Sequence, residues 1–181
     1  MNKQIEKYLK SGRQTEITPS IEKIARSFGN KDLDLVFEIL QWVQKNIKDT
    51  DSAEFKNSFF RKRSANEIIE SKVATGCTDY ALVFIALARA RKIPTVYVEA
   101  IRRKWLDMGD EKYIEGHIFA ECFVDGKWYI VNPEEGTIQI FYQRFVIFDK
   151  GLDSWNIGIK NFNDLKGKFL KFKEEYKKKK S

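Results

Sequence analysis

Cys77, His117 and Asn132 are the residues of this chain whose types and spacing allow nucleophilic chemistry. The 181 residues include two cysteines and one histidine, so a thiol–imidazole pair has few candidates. Cys77 follows Gly76 and stands just before an almost unbroken apolar run, residues 78–90. A cysteine at the N-terminal edge of a buried helix meets the helix dipole and unpaired N–H groups, which favour a thiolate. The same N–H groups can serve an oxyanion. Taken alone, a cysteine in apolar surroundings is more often an inert core residue, and Gly76 could be no more than a turn.

His117 and Asn132 come from a different kind of segment. Residues 117–124 and 127–132 read as two strands joined by Asp125-Gly126, a strong hairpin signal. With a two-residue loop, Val124 pairs with Lys127 and Phe119 lies opposite Asn132. Alternation then puts His117, Phe119, Glu121 and Phe123 on one face with Trp128, Ile130, Asn132 and Glu134. His117 and Asn132 become diagonal neighbours, with Cα atoms roughly 7–8 Å apart. An amide oxygen there can accept from one ring nitrogen and leave the other for a thiol. Singly, each residue has a plainer reading: a half-buried sheet histidine, and an Asn-Pro turn. Cys122 falls on the opposite face with Ile118, Ala120 and Val124 and reads as core. A zinc site from Cys77, His117 and Cys122 lacks a close ligand pair, and no metal or cofactor is expected.

The elements that must position these residues follow from periodicity. Thr18-Pro19 starts a helix that stops near Gly29-Asn30. Asp32 is expected to cap the next, whose apolar stripe runs Leu33, Val36, Leu40, Val43, Ile47. Ser64-Ala65-Asn66-Glu67 has the spacing of a capping box and begins a short helix to about Lys72. The run to Ala90 is apolar all round, as a buried central helix must be, and Pro94 ends it. Residues 95–101 read as a strand, and 137–149 as one long or two short strands. Residues 49–63 and 102–115 are charged and read as loops that would carry specificity. A last helix over about 162–177 carries Phe162, Leu165, Phe169, Phe172 and Tyr176 on one stripe. Helices first and an antiparallel sheet afterwards predict an α+β fold, with N-terminal helices and a central buried helix packed on the sheet. One domain over 1–181 is expected, with its core at about 19–150 and a basic helix and tail over 162–181.

Composition sets the outer bounds. Hydrophobic residues make up 43% and aromatics 14%, enough for a core without staples. Two cysteines do not build a disulfide framework and fit a reducing compartment. The first residues lack the apolar stretch of a signal peptide, and no apolar run spans a membrane, so a cytoplasmic protein is expected. Net charge is +7, of which Lys177 to Lys180 supply four. With Lys166, Lys168, Lys171 and Lys173, that run offers weak contact with an anionic surface; a solvated terminus is the more usual reading of such a run.

Two blocks carry a family likeness. GCTDYALVFIALARARKIPTVYVEA (76–100) and GHIFAECFVDGKWYIVNPEEG (116–136) resemble, in tandem, the transglutaminase-like superfamily of cysteine enzymes. Ile39, Trp42-Val43 and Asn46-Ile47 resemble the helix that precedes its nucleophile, so the likeness covers about 35–136. It implies a papain-like fold with Cys77 as nucleophile, His117 as general base and acid, and Asn132 as the orienting third member. The family usually has aspartate where this chain has Asn132. The implied chemistry is acyl transfer at peptide or side-chain amides through a thioester, ending on water or an amine. The alternative is a binding module on the same fold with a repurposed triad.

Overall fold

The computed structural model describes residues 3–180; Met1, Asn2 and Ser181 lie outside the described residues. Helix α1 (Lys3–Glu6) and a 3-10 turn lead into α2 (Pro19–Arg26), capped by the Thr18 side chain. Helix α3 (Asp32–Asn46) buries Leu35, Val36, Ile39, Leu40 and Val43. Its N-cap is Lys31, without a side-chain bond, and Asp32 is the first helical residue with φ 52°, so Asp32 does not cap it. Strand β1 (Lys48–Asp49) pairs in parallel with β2 (Val73–Ala74). Between them lie α4 (Ala53–Phe59) and α5 (Ala65–Ser71), the latter opened by a complete Ser64–Glu67 capping box.

Helix α6 (Cys77–Ala90) is the centre of the molecule. Every residue from Thr78 to Arg89 is buried, because α2, α3, α5 and the sheet cover it on all sides. Arg89, the long cation of its last turn, is stabilised by donating to the Thr95 and Tyr8 carbonyls and to the Thr15 hydroxyl. After α6 come β3 (Thr95–Arg102), α7 (Arg103–Met108), β4 (Gly116–Val124), β5 (Lys127–Asn132), β6 (Thr137–Gln139) and β7 (Phe145–Gly151). The five strands β3 to β7 form one antiparallel sheet in the order β6-β5-β4-β3-β7. The chain is α+β, with helices packed on this sheet.

The hairpin register matches the count from sequence: Val124 pairs with Lys127, and Asp125 and Gly126 both have positive φ, as a tight hairpin turn of this twist demands. The sheet face that receives α6 carries Ile118, Ala120, Cys122 and Val124. His117 belongs to the other face, where Phe119, Ile130, Val96, Val98 and Ala100 form a smaller cluster.

Two expected loops contain helices. In 49–63, Ser52 caps α4 by accepting from Phe55 N–H. In 102–115, α7 buries Trp105, which is 1% exposed. Helix α8 (Phe162–Lys178), capped by Asn161, explains that burial. Phe169 packs on Trp105, and the Lys173 ammonium sits 4.3 Å from the Trp105 ring centroid while donating to the Gly109 carbonyl at 2.5 Å. Lys173 is therefore a buried tie between α7 and α8, not part of a solvent-facing basic stripe. Lys180 pairs with Asp107 at 2.7 Å, drawing part of the tail onto α7. Among the described residues no helix is long and apolar enough to cross a membrane.

Candidate active site

The turn before α6 is built to present Cys77. Gly76, its N-cap, has φ +140° and ψ −164°, a conformation that essentially only glycine adopts without strain. Asp79, fully buried in the first turn, accepts from Thr75 N–H at 2.8 Å and Thr75 Oγ1 at 2.9 Å. Arg63 pairs with the same carboxylate oxygen. Removing Arg63 would leave a buried charge, so the Asp79 carboxylate and its partners fix the chain two residues either side of the nucleophile candidate.

His117 is the second residue of β4. Its ring lies edge-on to Phe119, with centroids 4.8 Å apart, and beside Phe145 at 5.6 Å. Although it starts on the face away from α6, it reaches Cys77 because both residues stand at the same end of the layer. The Cys77 thiol, a ring nitrogen of His117 and a carboxylate oxygen of Glu134 all lie within 4.8 Å of one another. His117 Nε2 is 2.9 Å from Asn132 Oδ1. That oxygen also accepts from Glu135 N–H at 3.4 Å, which identifies it as the acceptor end of the amide. Nε2 therefore carries a proton, and Nδ1 faces Glu134 Oε2, 3.5 Å away.

Sequence alternation had put Glu134 on the His117 face without giving it a role. What makes it part of the site is a tertiary tie. Gln44 on α3 donates from Nε2 to the carbonyls of Pro133 and Glu134, and so holds the turn after Asn132 against the helices. Gly136 approaches the same side chain; a Cβ there would come 3.2 Å from Gln44 Cγ.

The electrostatics differ from the thiolate expected at a helix start. Desolvation pushes the Cys77 thiol up to about 12, and the Glu134 charge pushes in the same direction. Arg61 and the Ile118 N–H pull it down and do not win. The Glu134 carboxyl is itself held above the usual carboxylate range by desolvation, against the pull of His117, with Asp49 and Glu135 adding to the rise. At neutral pH the resting group is a thiol rather than a thiolate.

Beneath this site lies a second polar cluster. Arg61 donates to Glu99 Oε2 at 2.6 Å and Oε1 at 2.8 Å, to Ser154 Oγ at 2.8 Å and to Tyr97 Oη at 3.2 Å. Tyr97 in turn donates to Glu99 at 3.0 Å. Cys122 stands apart from both clusters, fully buried, with Thr95 Oγ1 3.6 Å from its sulfur. Trp42 is half-buried, packed on the core and edge-on to Phe28. A cavity of about 190 Å³ adjoins Asn132 on the Phe119 side and is walled partly by Arg102, Glu135 and Arg144.

A helix-start cysteine facing a sheet histidine is the layout of a transglutaminase-like fold. The sequence profile of the Transglutaminase-like superfamily matches residues 22–133, more than half of the chain, and the chain belongs to that superfamily. It is similar to a solved structure named "Putative Cysteine Protease from Cytophaga hutchinsonii", with 20% identity and a TM-score of 0.68. That match covers 88% of this chain and 50% of the other, so this chain spans half the length of that structure. A second structure, named as a "putative protease" from Parabacteroides distasonis, has 16% identity and a TM-score of 0.47, over 71% of this chain and 25% of the other. No curated protein matches the chain.

Proposed function

We propose that the chain is a cysteine enzyme that performs acyl transfer or hydrolysis at peptide or side-chain amides, with Cys77, His117 and Asn132 as its triad. The observation that carries this reading is the 2.9 Å contact of His117 Nε2 with Asn132 Oδ1, which turns Nδ1 toward the cluster that holds the Cys77 thiol and Glu134. Because the resting thiol is neutral, His117 Nδ1 acts as general base during attack, taking the S–H proton as sulfur bonds to the amide carbonyl. Nε2–H stays on Asn132, which orients the imidazolium that forms. The Cys77 N–H at the start of α6 faces the developing oxyanion. The imidazolium then protonates the leaving amine, giving a thioester that water hydrolyses or a second amine captures. Family membership and the name of the similar structure support the class of chemistry. The substrate is a protein or peptide, and a cytoplasmic setting fits two free thiols.

The test is capture of the acyl-enzyme. Activated glutamine- and peptide-amide substrates should add one acyl mass on Cys77, and Cys77→Ala and His117→Ala should abolish it. Turnover by Cys77→Ala would end the reading. The alternative, a binding module with an idle triad, draws on the raised thiol and on the amide at position 132; absence of any adduct in the wild type would favour it. Weak anionic-surface contact through the lysines of α8 is a minor part of the proposal. Removing residues 177–181 should weaken binding to RNA or anionic vesicles and flatten its salt dependence. No binding at low salt would dismiss it.

A further inference from the structure

We propose that Cys77, His117 and Glu134 together bind one Zn²⁺ ion and that the bound ion holds the thiol out of reaction. Three different ligand types converge here, with their donor atoms within 4.8 Å of one another. In a tetrahedral zinc site, with bonds of about 2.0–2.3 Å, neighbouring donors stand roughly 3.4–3.6 Å apart. His117 Nδ1 and Glu134 Oε2, at 3.5 Å, already have that spacing, and the sulfur needs only a modest closure.

The orientation of the imidazole is a second, independent observation. Metal-binding histidines give their other N–H to a carbonyl or carboxylate, which fixes the tautomer and the ring. Asn132 Oδ1 does this for His117, and the Glu135 N–H holds Asn132 in turn. Nδ1 therefore faces the cluster. Glu134 is steadied from behind by Gln44, whose amide holds its carbonyl.

The donor set selects the metal. One sulfur, one nitrogen and one oxygen suit Zn²⁺, whereas Mg²⁺ and Ca²⁺ require mostly oxygen ligands. Coordination releases the Cys77 S–H proton to solvent. The charges of thiolate and carboxylate then cancel that of the ion, so the half-buried site becomes neutral. A fourth position stays open toward solvent. The consequence for catalysis rests on the acyl-transfer reading; binding itself does not.

The experiment uses the reduced, metal-stripped full chain, titrated with Zn²⁺ against a chromophoric chelator, with Co²⁺ as a spectroscopic substitute. One ion per chain is expected, with a sulfur-to-cobalt charge-transfer band that Cys77→Ser lacks. Glu134→Gln, isosteric and half-buried, should weaken binding by roughly tenfold or more, judged from what loss of supporting groups already costs. Zn²⁺ should also protect Cys77 from iodoacetamide, and chelator should restore labelling. Absence of stoichiometric uptake overturns the proposal. So does uptake by Glu134→Gln equal to that of the wild type, because the site then lacks its third ligand. Uptake with unchanged labelling of Cys77 overturns the blocking role. Neither titration nor cobalt spectrum needs a substrate, so a protein that binds metal but forms no acyl adduct would contradict the proposed function and leave this site standing.

Discussion

Two polar clusters lie near the start of α6, and they are built on opposite terms. In the Arg61–Glu99 cluster both carboxylate oxygens are met by a fork of two guanidinium nitrogens, and Tyr97 and Ser154 close the sides. Arg61 and Glu99 are 3% and 1% exposed. In the Cys77–His117–Glu134 cluster the groups are half-buried, and an acid stands beside a thiol whose deprotonation it opposes. A buried charge pair with matched geometry is scaffold, since removing one member strands the other. A partly exposed set of mismatched groups leaves room for a proton or a cation to change hands, which is where function concentrates.

The largest expected effect falls on the scaffold side. Arg61→Ala leaves Glu99 buried and unpaired, and should cost about 3–5 kcal/mol in urea denaturation. His117→Ala should change stability far less, within about 1 kcal/mol, while removing the reactivity of Cys77. Equal stability losses in the two variants would erase the distinction between the clusters.

Next in size is the orienting amide. Asn132→Ala frees the imidazole to turn and should lower the rate of acyl-adduct formation by roughly 10²-fold or more, the scale of a general base. Asn132→Asp keeps the contact and adds a charge that stabilises imidazolium, so it should restore or exceed the wild-type rate. A slower Asn132→Asp would show that the neutral amide suits this site better.

A smaller effect concerns Glu134. Its folded carboxyl lies above the usual range, so the folded state binds the proton more tightly than the unfolded chain does. Stability therefore falls as pH rises through the window between the unfolded and folded values, and the penalty persists above it. Glu134→Gln should flatten that slope and stabilise the protein at neutral pH. It also removes a charge that raises the thiol, so the alkylation profile of Cys77 should move to lower pH. A profile unmoved by Glu134→Gln would separate the acid from the thiol. The smallest effect belongs to Cys122→Ala, which should cost about 1 kcal/mol of packing and leave Cys77 labelling unchanged.

What the sequence disclosed follows the range of the forces involved. The Ser64–Glu67 capping box, the Asp125-Gly126 hairpin and the all-apolar α6 rest on neighbours a few residues apart, and the structure has each of them. The His117–Asn132 contact followed from the same hairpin register. Helices α4 and α7 were hidden because they are short and charged, and α7 is stabilised by Phe169 and Lys173, some 60 residues away in sequence, packing on Trp105. Which sheet face receives α6 was equally hidden, since Ile118, Ala120 and Cys122 on one side compete with Phe119 and Phe123 on the other. Glu134 became legible as a site residue only when Gln44 on α3 was seen holding its turn.

The most direct test of the central claim, that His117 makes Cys77 a nucleophile, is its alkylation by iodoacetamide across pH, read by peptide mass spectrometry in wild type and His117→Ala, with buried Cys122 as internal control. Cys77 should label at neutral pH and His117→Ala should slow it markedly, while buried Cys122 labels in neither protein. Cys77 labelling no faster than Cys122, or unchanged by His117→Ala, would contradict it.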